Sequence, residues 1–264
     1  VTKRQRARFG IAALLLALAI AGAWWSWKAS APPADRPTIG LVTSLPIYWP
    51  EEANLAMVID GSGEVPWIRE HLEERYQLVP LDSTAPDQTL PDATDPLAGI
   101  DFMLIVQPRS MGSADNVAID QWVRDGGHLL YALDPMLTGR YAVPWGDPAH
   151  PIVTALIPPI FTRWGLGVQF SEAQPFEMRE VAYPGGQLPV MMAGEFLLLQ
   201  SPDDATNEDI AARGECELHA EGIVARCKVG AGQVTAIADA ALFEFPERKG
   251  NIAKRLDALV DYAF

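Results

Sequence analysis

The stretch "GIDFMLIVQPRSMGSADNVAIDQWVRDGGHLLYALDP", Gly99 to Pro135, decides the fold. "IDFMLIV", 100–106, is a continuous apolar run, the pattern of a strand covered on both faces of a sheet. A helix is predicted to follow, with Ser113 as its N-cap and Asp115 in its first turn. It buries Ala118, Ile119, Trp122 and Val123 and stops at Gly126-Gly127. "HLLYAL", 128–133, is the next buried strand, and it delivers Asp134-Pro135 at its carboxyl end. Strand, helix, strand at this spacing is the unit of a parallel sheet.

Outward from this unit the pattern repeats. "TIGLVT", 38–43, reads as a buried strand. "VPWIREHLEERY", 65–76, reads as a helix, with Pro66 near its first turn and Ile68, Leu72 and Tyr76 four residues apart. "QLVPL" is a second strand, and "STAPDQTLPDATDPLAG" a long polar loop. Residues 38–133 therefore alternate strand, helix, strand, strand, helix, strand, which predicts a mostly parallel sheet flanked by helices. Beyond Asp134, "TALIPPIFTRWGLGV" predicts a short helix packed through Ile160, Phe161 and Trp164. "VMMAGEFLLLQ" predicts one or two strands. "GIVARCKVGAGQVTAIAD" predicts two strands joined at Gly230-Ala231-Gly232, and "NIAKRLDALVDYAF" a closing amphipathic helix. One domain over 37–264 is the simplest organisation.

The amino-terminal segment reads differently. "FGIAALLLALAIAGAWWSW", 9–27, holds no charge, and as a helix it would span about 28 Å, close to the hydrocarbon thickness of a bilayer. The preceding tail, 1–8, carries Lys3, Arg4, Arg6 and Arg8, so the positive-inside rule keeps it cytoplasmic and sends everything after Lys28 outside. Trp24, Trp25 and Trp27 suit the outer headgroup level. The rival is a cleaved signal peptide ending at Ala29 to Ala31, against which stand the length of the apolar stretch and Pro32 directly after the cut. The expected layout is a basic tail, an inner-membrane anchor at 9–27, a Pro/Ala linker at 28–36, and a periplasmic domain at 37–264.

That outer body is acidic. Five of the 20 Lys/Arg and none of the 34 Asp/Glu lie in residues 1–31, which leaves 15 bases against 34 acids, a net of −19. Such a surface repels phosphate backbones and anionic lipid, so nucleic acid is excluded as a partner class.

The two cysteines, Cys216 and Cys227, flank "ELHAEGIVAR". A two-residue turn at Glu221-Gly222 would set them opposite each other on antiparallel strands, at a separation compatible with a disulfide. An oxidising compartment permits the bond. Two free thiols are the plainer alternative, since Glu is a poor first residue for such a turn. A metal site with His219 has too few ligands. His71, His128, His150 and His219 are scattered singly, without metal-ligand spacing. Neither a metal nor a cofactor is expected. "VGAGQV" lacks the third glycine and the following helix of a phosphate cradle, so it reads as a turn. "DGSGEV" lacks the spacing of a nucleophile elbow.

Polar residues at predicted strand ends remain: Thr43 and Ser44, then Gln107 and Arg109, then Asp134, then Asp239. In an open parallel sheet these ends converge on the usual ligand crevice. Ser44, Gln107, Arg109, Asp134 and Asp239 are thus the candidate ligand-binding set. The plainer reading has the acids capping helices or fixing turns, with Arg109 paired to one of them.

The stretch from Gly99 to Pro135 also resembles the extracytoplasmic domain of GldG-like proteins, auxiliary subunits of ABC-type transport systems. The likeness continues through "IPPIFTRWGLGVQF" and "GAGQVTAIADAALFEFPERKGNIAKRLDALVDY". The resemblance implies a glutamine amidotransferase-like or flavodoxin-like fold, with Asp134 where the amidotransferases carry their nucleophilic cysteine. A carboxylate is a poor acyl acceptor, and no histidine near it in sequence could activate one. The chain is therefore expected to be a non-catalytic module beside a transporter permease or another envelope protein. The alternatives are an amidohydrolase-like enzyme and a sensor for a small polar ligand. The family's usual pattern, a longer ectodomain and a second membrane helix, is not matched here.

Overall fold

Both faces of the central strands are apolar, and the computed structural model shows what covers each. It describes residues 36–51, 53, 63–87, 89, 93–109, 111–200, 213–245 and 247–264. The predicted basic tail, the anchor at 9–27, all but the last residue of the linker, and Ser62 of "DGSGEV" lie outside the described residues. Among the described residues, no helix is long and apolar enough to cross a membrane.

The elements are β1 (Thr38–Thr43), α1 (Trp67–Glu73), β2 (Gln77–Pro80), β3 (Phe102–Val106), α2 (Ser113–Arg124), β4 (His128–Ala132), α3 (Pro159–Trp164), β5 (Leu166–Gln169), β6 (Arg179–Tyr183), β7 (Gly186–Val190), β8 (Glu195–Leu198), β9 (Glu215–His219), β10 (Val224–Val229), β11 (Gly232–Ile237) and α4 (Ile252–Ala263). Seven strands form one sheet in the order β2-β1-β3-β4-β11-β10-β9. The pairs from β2 through β11 are parallel, and β10 and β9 are added antiparallel. The architecture is mixed α/β on a mostly parallel central sheet.

Strand alternation sorts the core. Leu104 and Val106 of β3 and Leu130 of β4 face a cluster closed by Ile68 and Leu72 of α1 and Leu256 and Val260 of α4. Met103, Ile105, Leu129 and Tyr131 face the opposite cluster, closed by Ile119 and Val123 of α2 and Phe161 and Trp164 of α3. Helices thus cover both sides, as continuous apolar strands require. Residues 37–264 form one compact unit.

Local differences from expectation have local causes. Helix α1 is shorter than 65–76: Pro66 holds ψ 138 and so precedes the first turn, and the carboxyl end tightens as the Glu74 and Arg75 N–H groups bond three residues back. The N-cap of α2 is Gly112 rather than Ser113, and Asp115 takes the Gly112 N–H at 2.8 Å. The same carboxylate accepts from Ser83 Oγ and from the N–H groups of Thr84 and Ala85, pinning the start of the long loop. Trp122 and Ala118 are only partly buried. Asp120 turns inward instead, accepting from Trp164 Nε1 at 2.7 Å and Arg163 Nε at 3.0 Å, which ties α3 to α2.

In β9 and β10, Cys216 stands opposite Cys227, and a disulfide joins them. The connection is not a two-residue turn. Residues 220–223 form it, with Ala220, Glu221 and Gly222 all at positive φ, and the extra residues add evenly on both sides, so the register is unchanged. With both sulfurs bonded to each other, neither can ligate a metal alongside His219. Gly232 of the "GAG" turn approaches α2 so closely that a Cβ would sit 2.0 Å from the Val123 carbonyl oxygen. That glycine is there for packing, and a strand follows it, as a phosphate cradle does not allow.

Candidate functional site

The carboxyl ends of β1, β3, β4 and β11 bring Ser44, Gln107, Asp134 and Asp239 to one edge of the sheet. Gln107 is fully buried and sits at φ 45, a left-handed conformation rare for a residue with a side chain. It is the corner between β3 and the segment leading to α2. A strained strand-to-helix corner of this kind is where α/β hydrolases hold their nucleophile. The resemblance located that position at Asp134; the strained corner lies one strand away.

The Gln107 amide is fully engaged. Its Nε2 donates to the carbonyl oxygens of Asp134 at 3.0 Å and Ile152 at 2.8 Å, and its Oε1 accepts the Asp134 N–H at 2.9 Å. Both amide donors are therefore occupied. Ser44 Oγ donates to the Gln107 carbonyl at 2.5 Å and accepts the Ile152 N–H at 3.2 Å. Together they hold the segment after Pro151 down over the strand ends, where the Ala155 N–H also bonds the Asp134 carbonyl.

Asp134 and Asp239 are buried acids that fix turns. Asp134 takes the Met136 N–H at 2.7 Å and the Ala240 N–H at 2.9 Å. Asp239 takes the Ala241 N–H at 2.6 Å and the Met191 N–H at 2.8 Å. Burial pushes the Asp134 carboxyl up to about 7, against the pull of the Ala240 and Met136 N–H groups and with a further push from the Glu244 charge. Burial likewise raises Asp239 well above the usual carboxylate range, and the Asp134 charge adds to it. Two neighbouring carboxylates in a dry site resist ionising together.

Glu244 was not singled out from the sequence. Its oxygens accept from the Gly139 N–H at 2.6 Å, from Tyr141 Oη at 2.6 Å and from Thr138. Burial raises the Tyr141 phenol, and the Glu244 charge raises it further. Nothing in "FEFPERKG" signals this role, because the contacts reach across about a hundred residues of chain.

Arg109 departs from the rest. The alternative to a ligand-binding role paired it with one of the acids. Its guanidinium instead donates to the carbonyl oxygens of His150 and Ala149, both at 3.0 Å, and its side chain is exposed. Ser44 and Arg109 border an open cleft of about 470 Å³ over the ends of β1 and β2, which Trp49 and Asp82 also line. Gln107, Asp134 and Asp239 do not line it. The sequence set therefore divides into four residues that lock the strand ends, of which Ser44 also borders the cleft, and one, Arg109, whose side chain is exposed. No group of His, Cys, Asp and Glu suited to a metal ion occurs among the described residues.

No protein-family model matches the chain, and no curated protein does. Solved structures similar to it include an exo-β-1,4-mannosidase from Opitutaceae bacterium strain TAV5, at 18% identity and a TM-score of 0.44, covering 87% of this chain and 36% of that one. A β-galactosidase from Bacillus circulans sp. alkalophilus matches at 8% identity and 0.43, over 87% of this chain and 31% of that one. A putative ThuA-like protein from Bacteroides uniformis matches at 12% and 0.41, over 89% of this chain and 94% of that one. The chain spans about a third of the two glycosidases. At these scores none of the three assigns it an activity.

Proposed function

We propose that the chain is a non-catalytic α/β module of the glutamine amidotransferase-like kind, held at the inner membrane by residues 9–27 with residues 37–264 on the periplasmic side. Its work is that of an auxiliary or assembly component beside an ABC-type transporter permease or another envelope protein. One observation carries the non-catalytic part. The strained corner that would display a nucleophile holds Gln107, an amide whose two donors are already bonded to the Asp134 and Ile152 carbonyls. An amide is no acyl acceptor, and Asp134 has both carboxylate oxygens bonded to backbone N–H groups. The membrane part rests on the uncharged stretch at 9–27 and the bases before it, and the transporter part on the GldG-like resemblance.

The test is fractionation and cross-linking of the full chain in a bacterial host. The anchored protein stays in the membrane pellet through alkaline extraction with residues 9–27 retained, and cross-links from its periplasmic face capture an integral membrane protein. A soluble product whose first residue is Pro32 would overturn the anchor. Cross-links that capture no envelope protein would overturn the assembly role.

A further inference from the structure

With the strand-end centre filled by its own loop, the open space on this edge lies one strand over. Strand order places β1 between β2 and β3, the point where the sheet's connections diverge, and ligands of open α/β sheets bind outside the strand ends there. The cleft at this point has an apolar floor from Leu41 and Leu81, and Trp49 on one wall with 42% of its surface exposed. Trp49 is held edge-on against Tyr48, and Arg69 lies over the Tyr48 ring at 4.0 Å, so the aromatic wall is braced from behind.

Three charged groups line the same cleft, and one of them, Glu51, accepts the Ala142 N–H at 2.6 Å and so also fixes backbone. Arg109 has five N–H donors, of which the His150 and Ala149 carbonyls take two, leaving three and, among the described residues, no carboxylate partner. Those two bonds fix the plane of the guanidinium without neutralising it. Asp82 is exposed in the cleft wall and, among the described residues, has neither a cation nor a hydrogen-bond donor on its carboxylate. A cation and an anion left unpaired in one small cleft, beside an exposed indole, are complementary to a ligand that carries both charges and an apolar group. The body's net charge of −19 disfavours a ligand of net negative charge but not a neutral one.

We propose that this cleft binds a small zwitterion of the amino-acid type, its carboxylate on Arg109, its ammonium on Asp82 and its side chain against Trp49. The site goes beyond the assembly role and does not depend on it, since a ligand here needs neither the anchor nor a membrane partner. Calorimetric titration of the full chain with each of the twenty standard amino acids tests it. The expected result is saturable binding of at least one member with an aromatic or branched side chain. Arg109→Met and Asp82→Asn each weaken it about tenfold or more, the loss expected for one charge-assisted contact. The amine lacking the carboxylate and the acid lacking the ammonium should each bind worse than the parent by a similar factor. No saturable binding by any of the twenty, or binding that survives Arg109→Met in a folded protein, would overturn the proposal. Neither outcome bears on membrane fractionation, so failure here and failure of the assembly reading are separable.

Discussion

Replacing Asp134 by alanine should destabilise the domain at low pH and do so progressively less as pH rises. Two backbone donors lose their acceptor, the buried Ala240 N–H and the partly buried Met136 N–H. Leaving them unpaired costs about 1–2 kcal/mol each. Against this stands relief of a buried charge. The folded carboxyl titrates at about 7 and the free one at 3.8, so between those values the native state holds a proton that the unfolded chain has released. Stability therefore falls as pH rises through that window, and the penalty is complete above 7. At about 1.4 kcal/mol per pH unit, the carboxylate costs about 2 kcal/mol at pH 5 and about 4 kcal/mol at pH 8. Asp239 titrates with it, which spreads part of the slope over both groups. The variant should thus lose about 0–2 kcal/mol at pH 5 and match or exceed the wild type in stability at pH 8. Urea unfolding of residues 37–264 across pH 5 to 8, wild type against Asp134→Ala, measures the difference. A destabilisation that stays constant or grows with pH would refute the reasoning, because it would mean the buried acid is ionised without cost.

Gln107→Glu is nearly isosteric but cannot donate to both the Asp134 and Ile152 carbonyls. It should cost about 2–4 kcal/mol in urea unfolding and raise the protease sensitivity of the segment after Pro151. An unchanged midpoint would show that the amide does not lock the strand ends. The Cys216–Cys227 disulfide spans 11 residues, so reduction should lower stability by about 2–3 kcal/mol. Thiol titration of the oxidised, denatured protein should find no free sulfhydryl, and two would contradict the pairing.

The parallel sheet was legible because its strands are buried on both faces and so read as unbroken apolar runs at 38–43 and 100–106. The opposition of Cys216 and Cys227 was legible as well, since a turn centred on Glu221-Gly222 sets the register whatever its length. The form of that turn was not, because positive φ at Ala220 and Glu221 is imposed by the flanking strands rather than by residue preference. Four of the strand-end set, Ser44, Gln107, Asp134 and Asp239, do meet at one edge, and the alternative reading, acids that fix turns, describes Asp134 and Asp239. Burial decides whether a polar residue faces a ligand or a backbone, and Gln107, Asp134 and Asp239 show no mark of it in the pattern. The same holds for the strained φ of Gln107, which nothing in "VQPRS" announces. Glu244 was missed because its contacts come from a segment far off in sequence. Arg109 was placed at a strand end, and its partners there are carbonyls.

The central claim is that the strand-end centre is a lock and performs no chemistry, and turnover tests it most directly. Purified residues 37–264 can be incubated with amide, ester and glycoside substrates beside Ser44→Ala and Asp134→Ala variants of verified fold. The account predicts no hydrolysis by any of the three proteins above the buffer rate. Hydrolysis by the wild type that disappears in either folded variant would contradict it.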